Sequence, residues 1–406
     1  MVSQATGDAS GNVPEHVPSH LVFDFDIYQA PQLRHDPHRS VAQMVPKGAP
    51  RIFYTPRNGG HWVVAGAVEA LEMLRDIERF TSGPVFPGAR KPSTLPNQVD
   101  PPAHTEYRRI ISPAFTPRAV GKLEAYLHEL SAGMLDAVVA KGRCEFVEDI
   151  ARQFPVSVFL RMADAPTDRR QQLLEWTEIS VRDADPAARE AANTALGKYV
   201  TDLCEQRRGR EGDDLLSMLL LGRFEGRPLN ADELLGMGLL LFLGGLDTVA
   251  ASLSFIMLFL GRNPGHFRQL VEDPSRIPNA VEELMRAHSV ASVSRGPTRD
   301  MDYMGIRFRK HERIYFLTQI YGLDERKVTD PLTVDFSREI SPHLGFGAGP
   351  HRCIGSHLAR VEIRIFLEEW VKRIPAFVID AAGDVETRGG TVWSPVALPL
   401  AWKVAG

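Results

Sequence analysis

The chain has 406 residues, 44% of them apolar and 24% charged, which is enough to bury a large core and too apolar for a disordered chain. Lys plus Arg total 47 and Asp plus Glu 51, a net charge of -4 that offers no electrostatic case for nucleic acid or an anionic membrane surface. Three cysteines, Cys144, Cys204 and Cys353, are too few for a disulfide framework and fit a reducing cytoplasm.

Residues 1–15 are polar, with no apolar run, and read as a flexible tail without a secretory signal. No Gly/Ser linker or repeat divides the rest of the chain, so 16–406 is expected to form one domain. Residues 51–55 and 61–64 flank Asn58-Gly59-Gly60 and predict a hairpin. Six prolines between Pro84 and Pro102 exclude a long regular element there and predict a loop covering a site. Apolar residues at spacings of three and four predict helices over 103–113, 118–140, 187–208, 231–262, 276–288 and 354–373. The segment 234–260 is nearly free of charge, but Asp247 stands at its centre and no Trp/Tyr belt flanks it, so a buried core helix is expected rather than a membrane span. Short strands over 391–402, interrupted by Pro395 and Pro399, complete a class that is mainly α with minor β.

The segment Gly345-Phe346-Gly347-Ala348-Gly349-Pro350-His351-Arg352-Cys353-Ile354-Gly355 delivers a cysteine to the start of a helix. Backbone N–H groups and the helix dipole there would favour a thiolate, and the glycines would let a large flat cofactor approach the main chain. Three bland readings stand beside this one: a buried apolar cysteine, a phosphate cradle lacking its Lys-Ser/Thr, and a zinc site from His343, His351, Cys353 and His357 whose spacing matches no closed site. On the central helix, Gly244-Gly245-Leu246-Asp247-Thr248 places two small residues and an acid–alcohol pair among apolar neighbours, a costly arrangement unless it has a purpose.

The pattern Phe346-Gly347-x-Gly-x-His351-x-Cys353-x-Gly355 resembles the haem-binding signature of the cytochrome P450 superfamily. Other marks occur in the family's order: Glu283 and Arg286 with Arg338 resemble its Glu-Arg-Arg network, and Asp100-Pro-Pro-Ala-His104-Thr-Glu-Tyr-Arg108 resembles the helix whose basic side chains bind a haem propionate. Arg295 and His351 match the other propionate-binding positions. The resemblance implies haem b held by Cys353, haem buried between the central helix and the cysteine loop, and O2 as co-substrate. It also implies that Asp247 and Thr248 are catalytic, Thr248 hydrogen-bonding to dioxygen at the haem and Asp247 relaying protons.

From His16 to Trp402 the chain further resembles the camphor-hydroxylase family of bacterial class I enzymes, through Asn58-Gly-Gly-His-Trp62, Gly244-Gly-Leu-Asp-Thr-Val249, Gly322-Leu-Asp-Glu-Arg326 and Ala397-Leu-Pro-Leu400. This implies a soluble monomer reduced by a [2Fe–2S] ferredoxin with an NADH-dependent ferredoxin reductase. Two departures concern substrate: no Tyr occurs between Tyr54 and Tyr107, where that family fixes the camphor ketone, and Val293 replaces an Asp two residues before Arg295. With Leu240, Leu243, Gly244, Val290, Val293, Thr391 and Val392 at pocket positions, a terpenoid or norisoprenoid ketone of the ionone type is expected, anchored by Ser93, Thr94, Asn97 or Gln98. Arg109, Arg352, Arg360 and Arg364 are candidate ferredoxin contacts, with Arg108 committed to the propionate. A peroxide-driven peroxygenase and a non-catalytic haem sensor are the rivals, and neither needs the acid–alcohol pair.

Overall fold

The structure, a computed structural model, describes residues 13–83, 93–182, 185–339, 342–381 and 384–404. Most of the expected tail and the Pro84–Pro92 part of the expected covering loop lie outside the described residues.

The helices among the described residues are α1 (Pro37–Ala42), α2 (Ala67–Arg75), α3 (Ala103–Ile111), α4 (Pro117–Gly121), α5 (Glu124–Val139), α6 (Gln153–Met162), α7 (Arg170–Arg182), α8 (Pro186–Arg207), α9 (Leu215–Leu221), α10 (Ala231–Arg262), α11 (Pro264–Glu272), α12 (Ile277–Ala287) and α13 (Ser356–Arg373). Each expected helix is present, but 118–140 is split at Lys122-Leu123. There the Lys122 and Leu123 N–H groups close onto Ala119 and Val120 carbonyls, tightening the turn after Gly121. The missed helices include α6 and α9, whose sequences are apolar on nearly all faces; Phe154 to Leu160 are all buried, so periodicity had no contrast to show.

α10 runs unbroken for 32 residues and starts in a capping box, the Asn230 side chain accepting from Glu233 N–H while the Glu233 carboxylate accepts from Asn230 N–H. It is long and apolar enough to cross a membrane, yet most of that stretch is buried inside the protein. Its N-terminal half (Met237 to Leu246) belongs to one apolar cluster, with α6, α8 and α9. Its C-terminal half (Val249 to Leu260) belongs to a second, with α5, α12 and α13. Asp247 and Thr248 fall at the junction.

The main sheet has five strands in the order 52–55, 61–64, 314–316, 293–297, 80–81. The expected hairpin pairs Ile52 with Val64 and Thr55 with His61. Ile314–Phe316 then adds in parallel, and Val293–Pro297 antiparallel with Arg295 opposite Ile314. At the C-terminus Pro399–Ala401 pairs with Arg143–Glu145 and Val378–Ile379, and Ser394–Pro395 with Thr387–Arg388.

Candidate functional site

The cysteine loop is shaped by its backbone. Gly347 and Gly349 both adopt φ of +67°, and a Cβ on Gly349 would stand 2.8 Å from the Leu74 carbonyl oxygen, so both positions require glycine. Gly347 N–H donates to Leu344 O and Cys353 N–H to Phe346 O, each at 2.8 Å, closing the loop on itself. Arg360 lies 4.4 Å above the centre of the Phe346 ring and donates to Glu282, an arrangement the sequence had not suggested.

α13 begins only at Ser356, with Gly355 as its N-cap, so Cys353 stands outside the helix rather than in its first turn. What the helix start offers a thiolate is the N–H of its N-cap residue, Gly355, the largest influence that lowers the thiol. Burial is the largest influence on the Cys353 thiol and pushes it up, outweighing the Gly355 N–H and the charges of Arg108, Arg352 and Arg360. A metal at the sulfur is what would displace its proton. The zinc alternative finds no ligand set: among the described residues no three His, Cys, Asp or Glu side chains are grouped to hold an ion.

Beside the loop lies a basic cluster. Arg108 donates from Nη2 to Arg352 O at 2.6 Å and from Nη1 to Pro350 O at 3.4 Å, tying α3 to the cysteine loop. The His104 and His351 rings lie 4.3 Å apart, and His351 Nε2 donates to Asp100 Oδ1 at 3.1 Å. Burial pulls the His104 imidazole down to about 4, and its Nδ1 is buried without a partner. Arg295 is only 5% exposed, donates from Nη1 to Ser294 O at 2.8 Å, and has an unpartnered Nε; burial pushes it down to about 10. Leaving a buried guanidinium so incompletely paired costs several kcal/mol, on the order of 3–5, unless an anion completes it.

Glu283 unites two segments. Its carboxylate accepts from Arg286 Nε at 2.7 Å and Nη2 at 2.8 Å, from Arg338 Nε at 3.2 Å and from Asp335 N–H at 3.0 Å. Arg286 and Arg338 both donate to Thr333 O at 3.1 Å. Glu283 and Arg286 are buried and Arg338 is half-buried, and Ser289, just after α12, lies so close to Gly345 that a Cβ there would stand 2.5 Å from Ser289 Oγ. The chain of contacts therefore runs from Glu283 to the cysteine loop.

On α10, Gly244 and Gly245 are exposed between buried Phe242 and Leu246, and a Cβ at Gly244 would meet no atom within 4 Å. Cys353 likewise has accessible surface although protein crowds it, as befits residues lining an internal cleft. Leu243 and Ile354 pack against the same apolar cluster, which brings α10 and the cysteine loop together. The helix is not opened at its glycines, and Thr248 Oγ1 donates to Gly244 O at 3.2 Å within it. A soft sulfur, an apolar wall without side chains at Gly244, and buried donors lacking an anion at Arg295 and His104 form a set that fits an iron macrocycle bearing carboxylates.

The bridge between Ala291 and Val392, with Ser292 N–H donating to Thr391 O at 2.9 Å, brings Val290 and Val293 to Thr391 and Val392. Leu240, Leu243 and Gly244 share one face of α10. Of the polar candidates, Thr94 and Gln98 satisfy each other, Thr94 N–H and Oγ1 meeting Gln98 Oε1 at 2.7 and 3.0 Å. Asn97 is exposed, which leaves Ser93. Two expected docking arginines are also engaged: Arg360 with Glu282, and Arg364 with Glu124 at 3.2 Å and Glu368 at 2.9 Å. Arg109 pairs with Glu106 at 3.0 Å, whereas Arg352 is exposed and has no side-chain partner among the described residues.

Sequence reasoning missed Asp100 as the anchor of His351, although it stood in the quoted segment. It also missed the Tyr107 hydroxyl donating to Glu233 Oε1 at 2.8 Å, because nothing local links residues 126 positions apart.

The cytochrome P450 family model matches residues 157–375. The chain is 34% identical over 402 residues to a protein of Sinorhizobium fredii named probable cytochrome P450 127A1, covering 96% of this chain and 97% of the relative. The crystal structure of CYP101J2 superposes with a TM-score of 0.88 at 30% identity, covering 97% of this chain and all of that one. That of CYP101C1 also gives 0.88, at 33% identity over 96% of this chain and all of the other.

Proposed function

The chain belongs to the cytochrome P450 family, and we propose that it hydroxylates an unactivated C–H bond of a small cyclic terpenoid or norisoprenoid ketone, ionone-like rather than camphor. It is a haem b-dependent monooxygenase consuming O2. The electrons come, in this reading, from a [2Fe–2S] ferredoxin served by an NADH-dependent reductase, and residues 16–406 act as a single monomeric domain in the cytoplasm. The likeness to CYP101J2 and CYP101C1 along almost the whole chain supports the class I assignment.

Bound haem supplies O2 activation and transfer of one oxygen atom. Cys353 is its metal ligand, held by a loop that Phe346, Gly347 and Gly355 shape. Arg295 and Arg108 would neutralise its carboxylates while His104 and His351 offer them hydrogen bonds, and Arg295 would gain the anion that its buried guanidinium lacks. Glu283, Arg286 and Arg338 keep the loop in place without touching substrate. The Thr248 hydroxyl holds a proton at the cleft and Asp247 feeds protons towards it. Leu240, Leu243, Gly244, Val290, Val293, Thr391 and Val392 exclude water and bind an apolar ring. The acid–alcohol pair favours O2 over peroxide as oxidant.

The substrate reading is carried by one observation: the Ala291–Val392 bridge joins segments 290–293 and 391–393 and brings apolar Val290, Val293 and Val392 together, while no Tyr stands between Tyr54 and Tyr107 to hold a ketone. Optical titration of the ferric holoprotein with β-ionone and camphor in parallel tests it. A spin-state shift with β-ionone at lower concentration is expected; an equal or stronger response to camphor overturns the substrate assignment.

A further inference from the structure

Gly236 on α10 lies one turn before Leu240, and a Cβ built on it would stand 2.3 Å from the Ser93 carbonyl oxygen and 3.5 Å from Leu95 Cγ. The closer of these atoms is backbone, which cannot rotate away as a side chain would. From the other direction, Leu95 N–H donates to Gly236 O at 3.3 Å. The two main chains are therefore in direct contact, and only a residue without a side chain permits it.

The segment that makes this contact is internally braced. Gln98 N–H donates to Thr94 O at 2.9 Å while the Gln98 side chain accepts from Thr94, so the segment moves as a unit. Leu95 is buried in the cluster that also holds Met237, Leu239 and Phe242. Farther on, Asp100 accepts from Ser82 N–H at 3.1 Å and from His351, and Tyr107 reaches Glu233. Residues 93–107 are thus fastened to α10 at Glu233 and Gly236 and to the cysteine loop at His351.

Positions 233, 236, 240, 243 and 247 follow one another at intervals of three and four, and 244 lies four after 240, so all six share one face of α10. That face bears the fastening at one end and Leu240, Leu243, Gly244 and Asp247 at the other. Three glycines on α10 differ in what they meet. At Gly238 a Cβ would meet the Val200 side chain, with Cγ1 at 2.3 Å, and at Gly244 it would meet nothing within 4 Å. Of these three, only Gly236 has backbone of residues 93–98 as its nearest obstacle.

We propose that Gly236 is a positioning residue that determines substrate size. Its missing side chain fixes how closely residues 93–98 seat on α10, and so how much room stands above Leu240 and Leu243. The inference rests on the monooxygenase reading of the same site and adds to it a determinant of which ligands fit. A methyl group at 236 moves the Ser93 carbonyl by roughly 1 Å and breaks the Leu95 bond, because packed backbone has no slack to absorb it.

The test compares ferric holoprotein of the natural chain with Gly236→Ala and Gly238→Ala. Hydrogen exchange is read at the Leu95 amide, and optical titrations use imidazole, which needs only the metal, and clotrimazole, which fills the cleft. Gly236→Ala is expected to speed Leu95 exchange at least about tenfold and tighten clotrimazole about tenfold, with imidazole unchanged to within about twofold. Gly238→Ala should leave both readouts as they are. Unaltered exchange and an unaltered clotrimazole-to-imidazole ratio in Gly236→Ala, or equal changes in Gly238→Ala, overturn the proposal. Failure of both azoles to perturb the natural protein would instead refute the haem site, and the exchange data would still decide how the segment is held.

Discussion

His351 Nε2 donates to Asp100 Oδ1 at 3.1 Å, and this bond joins the cysteine loop to the segment ahead of α3. A carboxylate only accepts, so the proton sits on Nε2. Burial opposes ionisation of Asp100, but bonds from His351, Thr81 and the Ser82 N–H outweigh it and hold the carboxyl below its ordinary value. Asp100→Ala removes the anchor of three donors at once. It should lower stability by about 1–3 kcal/mol and speed haem loss, as read by thermal unfolding and by haem transfer to apomyoglobin. Unchanged haem retention would show that His351 is held by other means.

Among the described residues the Thr248 hydroxyl donates to the Gly244 carbonyl of its own helix and to no other group. Thr248→Ala should therefore cost little stability, less than about 1 kcal/mol, while the share of consumed O2 released as hydrogen peroxide rises several-fold. Oxygen, peroxide and product balances on the reconstituted system decide the point; unaltered coupling would remove Thr248 from proton delivery.

Arg352 and Arg360 separate docking from structure. Arg352 is exposed and unpaired among the described residues, whereas Arg360 is spent on Glu282 and Phe346. Arg352→Glu should slow ferredoxin-driven reduction about tenfold at low salt, with the difference shrinking as salt rises, and leave peroxide-driven turnover intact. Arg360→Glu should instead lower the unfolding temperature. Equal loss of both turnover modes in Arg352→Glu would count against a docking role.

Glu362 on α13 is 3% exposed, with Oε2 lacking a partner, and burial alone pushes its carboxyl up to about 8 from an ordinary 4.5. The folded protein keeps a proton that the unfolded chain releases, so this contribution is full below pH 4.5 and fades as pH rises towards 8. His38, pulled down to about 4 by burial, acts with the opposite sign, because the unfolded chain takes up a proton below about 6.5 that the folded ring refuses. Above that pH only Glu362 of the two contributes. Glu362→Gln should flatten the fall in unfolding temperature between about pH 6.5 and 8, a gain on the order of 1–4 kcal/mol at the upper end. Parallel curves for the two proteins would mean that Glu362 is ionised in the folded state.

Much of the architecture could be read locally. The helices over 103–111, 186–207, 231–262, 277–287 and 356–373 show apolar spacing, and the Asn58-Gly59-Gly60 turn marks the hairpin. Where burial is all-round, as in α6, or where a strand such as Val293–Pro297 contains Gly and Pro, the local pattern carries no period to detect. The polar ketone candidates show the same limit: Thr94 and Gln98 are suitable in type but already bonded to each other.

Residue types and their order by themselves carried the resemblance to the haem-binding signature, through Phe346, Gly347, His351, Cys353 and Gly355, and marked the Asp-Thr pair inside an apolar helix as a costly arrangement. Only the tertiary structure decided which charges are spent and which are available. Arg295 is left short of an anion, Arg352 is left exposed, and Arg360 is paired because Glu282 on α12 is brought across from 78 residues away. Such partners are chosen by packing over long separations, and burial sets what each pairing is worth; neither quantity is encoded in a local run of residues.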